Sequence, residues 1–146
     1  MASVVEDFLT AEEEQEVVEA IRLAELKTSG EIRVHLERTC EADAFERAKE
    51  LFHFLKMDNT KAENGVLIYV AVDAKKFAIC GDRGINKGVP ENFWQSTKDL
   101  MQTEFKNRKF KDGLVKGINS AGEQLARFFP WHADDVNELS DEISTS

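Results

Sequence analysis

The run Asn64 to Val72 (NGVLIYVAV) constrains the fold more than any other segment, because Gly65 to Val72 is apolar without alternation. Such a run marks a central strand covered on both faces, and that requires helices above and below a sheet. A short polar turn, Asp73 to Lys76, follows, and then Phe77 to Asp82 (FAICGD). The turn is too short for a crossover, so the second run must return antiparallel as a hairpin. Upstream, Ile32, Val34 and Leu36 alternate with Glu31, Arg33, His35 and Glu37, which reads as a half-exposed strand near a sheet edge. Between them, Ala42 to Met57 carries Phe45, Ala48, Phe52 and Leu55 at helical spacing. Strand, helix and strand in that order make a crossover unit, so the strands at 31–37 and 65–72 are expected to be parallel.

Helices account for most of the rest. Thr10 and Glu13 form a capping-box pattern ahead of a stripe of Val17, Ile21 and Ala24, and Ser29-Gly30 supplies a stop. Gly81 to Pro90 reads as a loop, and Pro90 suits the first turn of a third helix bearing Phe93, Trp94, Thr97, Leu100 or Met101, and Phe105. A basic break, Lys106 to Lys111, precedes a fourth helix with Leu114, Ile118, Ala121, Leu125 and Phe128 on one face. Gly117 and Gly122 would weaken that helix in isolation, which predicts close packing against the sheet. Pro130 ends it, and from Ala133 the chain is polar, acidic and reads as disordered. The expected fold class is α/β: a three-layer α/β/α sandwich with a small mixed sheet and about four helices. One domain over residues 1–132 and an acidic tail over 133–146 are expected.

The net charge of −9 is segregated. Residues 1–30 hold eight acids against two bases and residues 134–146 hold five acids and no base, whereas Lys75 to Arg127 holds eleven bases and six acids. Acidic ends argue against nucleic-acid binding, which shows a basic footprint. No stretch approaches the roughly 20 apolar residues of a membrane span. The opening MASVVEDFLT has neither the basic region nor the apolar segment of a secretory signal. Cys40 and Cys80 are too few for a disulfide framework, so the expected location is cytoplasmic.

The hairpin and the crossover bring Gly30-Glu31, Asn64-Gly65 and Gly81-Asp82-Arg83-Gly84 to one sheet edge. Carboxylates among glycine-rich turns are what a hard cation such as calcium or magnesium needs: oxygen ligands on backbone free to bend around it. Asp82 heads this set, with Glu31 and Asn64 beside it. Asp58 and Asn59, in the preceding loop, could add ligands, as could Asp112 if its helix begins above the site. The plainer reading is that Asp82 caps a backbone amide and Glu31 is a solvated carboxylate on a polar face. His35, His53 and His132 are scattered without ligand spacing, which disfavours zinc. No Cys-x5-Arg loop, GxSxG elbow or Walker loop is present, and Cys80 lies in an apolar strand as inert core. Trp131, between Pro130 and the acidic tail, is the aromatic most suited to a protein contact.

In these segments the chain resembles the TPM domain family, found in thylakoid lumen proteins and in many bacterial proteins. The resemblance rests on Thr28-Ser-Gly-Glu-Ile-Arg-Val34, Asn64-Gly-Val-Leu-Ile-Tyr-Val70, Phe77-Ala-Ile-Cys-Gly-Asp-Arg-Gly-Ile85 and Phe105 to Gly117 with its Phe110-Lys-Asp-Gly-Leu114. It spans about Leu9 to Trp131. It implies an α/β/α sandwich, a divalent-cation site usually associated with calcium, and an acid phosphatase activity attributed to lumenal plant members. Many members carry an export signal and a membrane anchor; this sequence shows neither, so a stand-alone soluble variant is expected. Three functions follow in order: a cation-binding accessory module, a weak metal-dependent phosphatase on small phosphomonoesters, and a non-catalytic adaptor for a protein partner.

Overall fold

A computed structural model describes residues 8–59, 63–87, 89–90, 92–130 and 142–145. Helix α1 (Ala11–Glu25) opens with the capping box: Glu13 N donates to Thr10 Oγ1 at 3.1 Å and Thr10 N to Glu13 Oε1 at 2.9 Å. Then come β1 (Glu31–Glu37), α2 (Ala44–Phe54), β2 (Gly65–Ala71) and β3 (Lys76–Gly81). Strands β1 and β2 are parallel, from Glu31 opposite Gly65 to Glu37 opposite Ala71, and β3 is antiparallel to β2, as the turn and crossover lengths require. Helices α3 (Arg83–Asn86), α4 (Gln95–Lys106) and α5 (Phe110–Phe128) follow. A two-residue strand, β4 (Ser144–Thr145), lies parallel to β1 and completes the order β3-β2-β1-β4.

The β2 run is apolar throughout because it feeds two cores. Val66, Ile68 and Val70 join Ile32, Val34, Leu36 and Ile79 under α1, α4 and α5. Leu67, Tyr69 and Ala71 join Ala78, Cys80 and Met57 under Ala48, Leu51 and Phe52 of α2. The result is the three-layer mixed sandwich anticipated from sequence.

Several details differ from the sequence expectation. The polar face of β1 is not solvated: Glu31 is 4% exposed and His35 1%. At His35 and Glu37 protein groups take the place of water, as burial demands. Arg47 grips Glu37 with two bonds, Nη2 to Oε1 at 2.6 Å and Nε to Oε2 at 3.1 Å, and the Tyr69 hydroxyl donates to the same carboxylate. The segment 81–90 contains α3, and α4 starts at Gln95 instead of Pro90, whose carbonyl accepts from Phe93 N in a turn at 3.1 Å. Phe45, Leu100 and Phe128 are exposed. Gly117 and Gly122 do pack closely, but against helices: an added Cβ would lie 2.6 Å from Met101 Sδ of α4 and 2.9 Å from Ala24 Cβ of α1. The expected disordered tail contains β4. Its residues 133–141 and Ser146 lie outside the described residues, as do Gly88, Trp131 and His132.

Candidate functional site

Strands β1 and β2 begin, and β3 ends, at one edge of the sheet. Glu31 N donates to Asn64 O at 3.2 Å, and Asp82 N to Gly65 O at 2.9 Å. Glu31 opposes Gly65, and one residue beyond the Val66–Gly81 pair Gly65 opposes Asp82. The three therefore form one row across the sheet. Side chains two apart share a face, so this row lies on the α2 face with Leu67 and Cys80. Gly65 has no side chain, which leaves a gap between two carboxylates whose backbones are two strand spacings, ~10 Å, apart.

Asp82 is the N-cap of α3. Its Oδ1 accepts from Arg83 N at 2.7 Å, while Oδ2 is buried with no hydrogen-bond partner among the described residues. Burial pushes the Asp82 carboxyl above its usual range, and the charges of Glu63 and Asp58 push it the same way; the Arg83 amide and the Arg83 charge pull against them. A cleft of about 360 Å³ opens here, lined by Asp82, Asp58, Cys80, Lys49, Arg83 and neighbouring residues. Asp58 sits in the 3-10 turn Met57–Asn59, held by a 2.7 Å contact to His53 Nδ1. Glu63 pairs with Arg83 Nη2 at 3.4 Å. Burial pushes the Cys80 thiol up to about 11, so it is not a nucleophile at neutral pH.

Of the five candidate residues, Asp82 and Asp58 share this cleft. Glu31 and Asn64 reach the same edge and are buried, but neither is among the residues lining the cleft; Asn64 Nδ2 donates to Ser29 Oγ at 3.4 Å. Asp112 is not at this edge. It lies in the first turn of α5, paired with Lys111 at 2.8 Å. The end of α5 that reaches the edge is the other one: Leu125 is the nearest neighbour of a Cβ added at Gly30, and Phe129 O accepts from Ser29 N at 2.9 Å. Thirteen residues of helix, ~20 Å, separate Asp112 from that end. Glu63 was missed, although it directly precedes Asn64 and closes the loop that holds Asp58. Among the described residues no group of three or more His, Cys, Asp or Glu side chains is gathered closely enough to hold a metal ion.

The sequence profile of the TPM domain matches residues 4–124. The chain belongs to the TPM domain family. Its structure is similar to the NMR structure of BA42 protein from the psychrophilic bacterium Bizionia argentinensis, with 58% identity, 97% of this chain and 98% of that one covered, and a TM-score of 0.91. It also shares its fold with the N-terminal domain of a P. gingivalis protein (19% identity, 86% and 82% covered, TM-score 0.69). The N-terminal domain of cg2496 protein from Corynebacterium glutamicum is a further match in fold (8% identity, 92% and 79% covered, TM-score 0.64). No curated protein matches this TPM domain significantly. Among its described residues no helix is long and apolar enough to cross a membrane.

Proposed function

We propose that this TPM domain is a divalent-cation-binding module and that calcium or magnesium is held at the Asp82 cleft. The observation that carries the reading is Asp82 Oδ2, a buried carboxylate oxygen with no hydrogen-bond partner among the described residues. An acceptor left in that state costs about 1–3 kcal/mol or more, and a cation removes the cost. The donor chemistry fits a hard ion: Asp82 and Asp58 offer carboxylate oxygens on one cleft, and water completes the shell. The free thiols of Cys40 and Cys80 support a cytoplasmic place of action. A weak phosphomonoesterase is the second reading, favoured by Lys49 and Arg83, cations on the same cleft that suit a phosphate. It lacks an activated nucleophile, so turnover of a generic phosphomonoester should be very slow; activity well above a mock purification that vanishes in Asp82→Ala would reverse the ranking.

Titration with calcium or magnesium should move the amides of Gly81 to Arg83 and Asp58 saturably and raise Tm by mass action. Asp82→Asn should remove most of that rise. A calcium-induced shift undiminished in the variant would put the ligands elsewhere. The proton competes for the same oxygen, so cation affinity should fall as pH falls through the raised Asp82 pKa. Without metal, a raised carboxyl contributes stability at low pH that is lost as pH rises through its folded pKa. Asp82→Asn, which can still cap α3, should therefore leave metal-free stability at neutral pH unchanged or higher.

A further inference from the structure

We infer that the opposite end of the sheet carries a second binding site, suited to a small amphipathic anion: a carboxylate or phosphate head on an apolar body. A cleft of about 510 Å³ lies where β2 ends and β3 begins, beside the α4–α5 connection. That volume falls within the roughly 300–1,000 Å³ of small-molecule sites. Its floor is aromatic. Phe77 meets Phe105 edge-on at 5.4 Å, Phe105 lies 6.2 Å from Phe110, and Phe110 lies 4.6 Å from Phe8. None of these four rings is fully buried, and with Val72 they leave apolar surface open to the cleft.

Its mouth is cationic. Lys75, Lys106 and Arg108 line the cleft and are exposed, and among the described residues none of them is in an ion pair. Not one Asp or Glu belongs to the lining. Lys76 contributes only its stem, because its Nζ donates to the carbonyls of Cys40 and Ala42 at 3.1 and 3.3 Å. Lys111, two residues past the turn, is neutralised by Asp112 at 2.8 Å and Glu16 at 3.6 Å. Helix α5 starts at this mouth with Phe110 and has no side chain capping it, so its positive end adds to the local field. In a chain of net charge −9, three unneutralised cations around an apolar floor are a local inversion of sign.

An apolar body on the phenyl rings with an anionic head at Lys75, Lys106 and Arg108 satisfies both halves of this surface. Neutral apolar molecules would leave the cations unused, and metal ions would be repelled. Seven residues of strand, ~20 Å, separate the mouth from the Asp82 edge, well beyond the ~8 Å screening length, so the two sites act independently.

The test is amide-shift titration with decanoate and decyl phosphate below their micelle concentrations and with decanol below its solubility limit. Decanoate or decyl phosphate should shift the amides of Val72 to Phe77 and Phe105 to Phe110 saturably, and which binds tighter assigns the head group. Decanol should bind about tenfold more weakly or worse, the loss expected for a charge-assisted contact. The double variant Lys106→Glu/Arg108→Glu, at exposed positions that leave the core intact, should weaken both anions by a similar factor with Tm unchanged. Added NaCl should do the same to the native protein. Absent or non-saturating shifts at these amides, shifts centred on Asp82, or decanol matching decanoate in a native protein no different from the variant would each overturn the proposal.

Discussion

Ser144 has one hydroxyl proton, and its Oγ donates to Val34 O at 3.2 Å, so the 2.8 Å contact with His35 is a bond that His35 Nδ1–H donates. That bond fixes a proton on Nδ1, and burial is what disfavours a second one on the ring. Burial pushes its pKa down from 6.5 to about 4; Glu37 opposes the shift, while Arg47 and Arg33 reinforce it. A histidine whose folded pKa is depressed contributes stability that is complete above its unfolded value. That stability is lost as pH falls from 6.5 towards 4. The full loss is about 3 kcal/mol. Denaturant unfolding across this range should show the decline, and the His35 ring signals should show no inflection near 6.5. An inflection there would mean the ring is solvated. The β1 alternation made His35 legible as polar-faced, but its partner is 109 residues away and no local pattern points to it. Asp82 is similar: the glycine-rich turn marked it, and its cap to Arg83 was foreseeable, whereas the orphaned Oδ2 depends on how β2, β3 and the 57–59 turn close around it.

Helix α5 carries three glycines on its buried side, and each faces another helix. A Cβ would meet the Phe105 ring at Gly113, Met101 at Gly117 and Ala24 at Gly122. The need for close approach was legible, because glycine at mid-helix costs ~1 kcal/mol relative to alanine and must be compensated. The partner was not, because an apolar stripe shows that a face is covered without showing by what. At Gly122 the obstacle is Ala24 Cβ at 2.9 Å with its Cα at 3.4 Å, short and rigid. Overpacking there costs ~1–3 kcal/mol against a helix-propensity gain of ~1, so Gly122→Ala should destabilise by about 1 kcal/mol in urea unfolding. Adding Ala24→Gly should restore part of the loss by reopening the gap. Gly117→Ala should cost less, since Met101 can move the sulfur that lies 2.6 Å away. A neutral or stabilising Gly122→Ala would show that α1 and α5 separate freely.

Across the whole molecule, the sheet has a carboxylate end, where β1 and β2 begin, and a cationic end, where they finish. Convergence of Glu31, Asn64 and Asp82 was readable because turn and crossover lengths fix strand direction. Asp112 was misplaced because nothing local tells a helix lying on a sheet face which way to run. The C-terminal pairing was not legible for a related reason: acidic composition describes solubility, whereas the pairing of Ser144 with His35 and Thr145 with Leu36 is a matter of two residues. Truncation after His132 tests what that pairing does. It removes β4 and the acceptor of His35 Nδ1–H, and leaves a formerly buried donor to find water or go unsatisfied, at a cost of ~1–3 kcal/mol. Stability should fall by that order, and the His35 pKa should climb from about 4 towards 6.5 as water reaches the ring. Cation-induced shifts at Asp82 should persist, because Asp82 ends β3 on the far side of β2 from β1 and β4. A truncated chain with unchanged stability and an unchanged His35 would reduce β4 to an appendage. Loss of the Asp82 response together with the His35 change would show instead that β4 supports the entire edge.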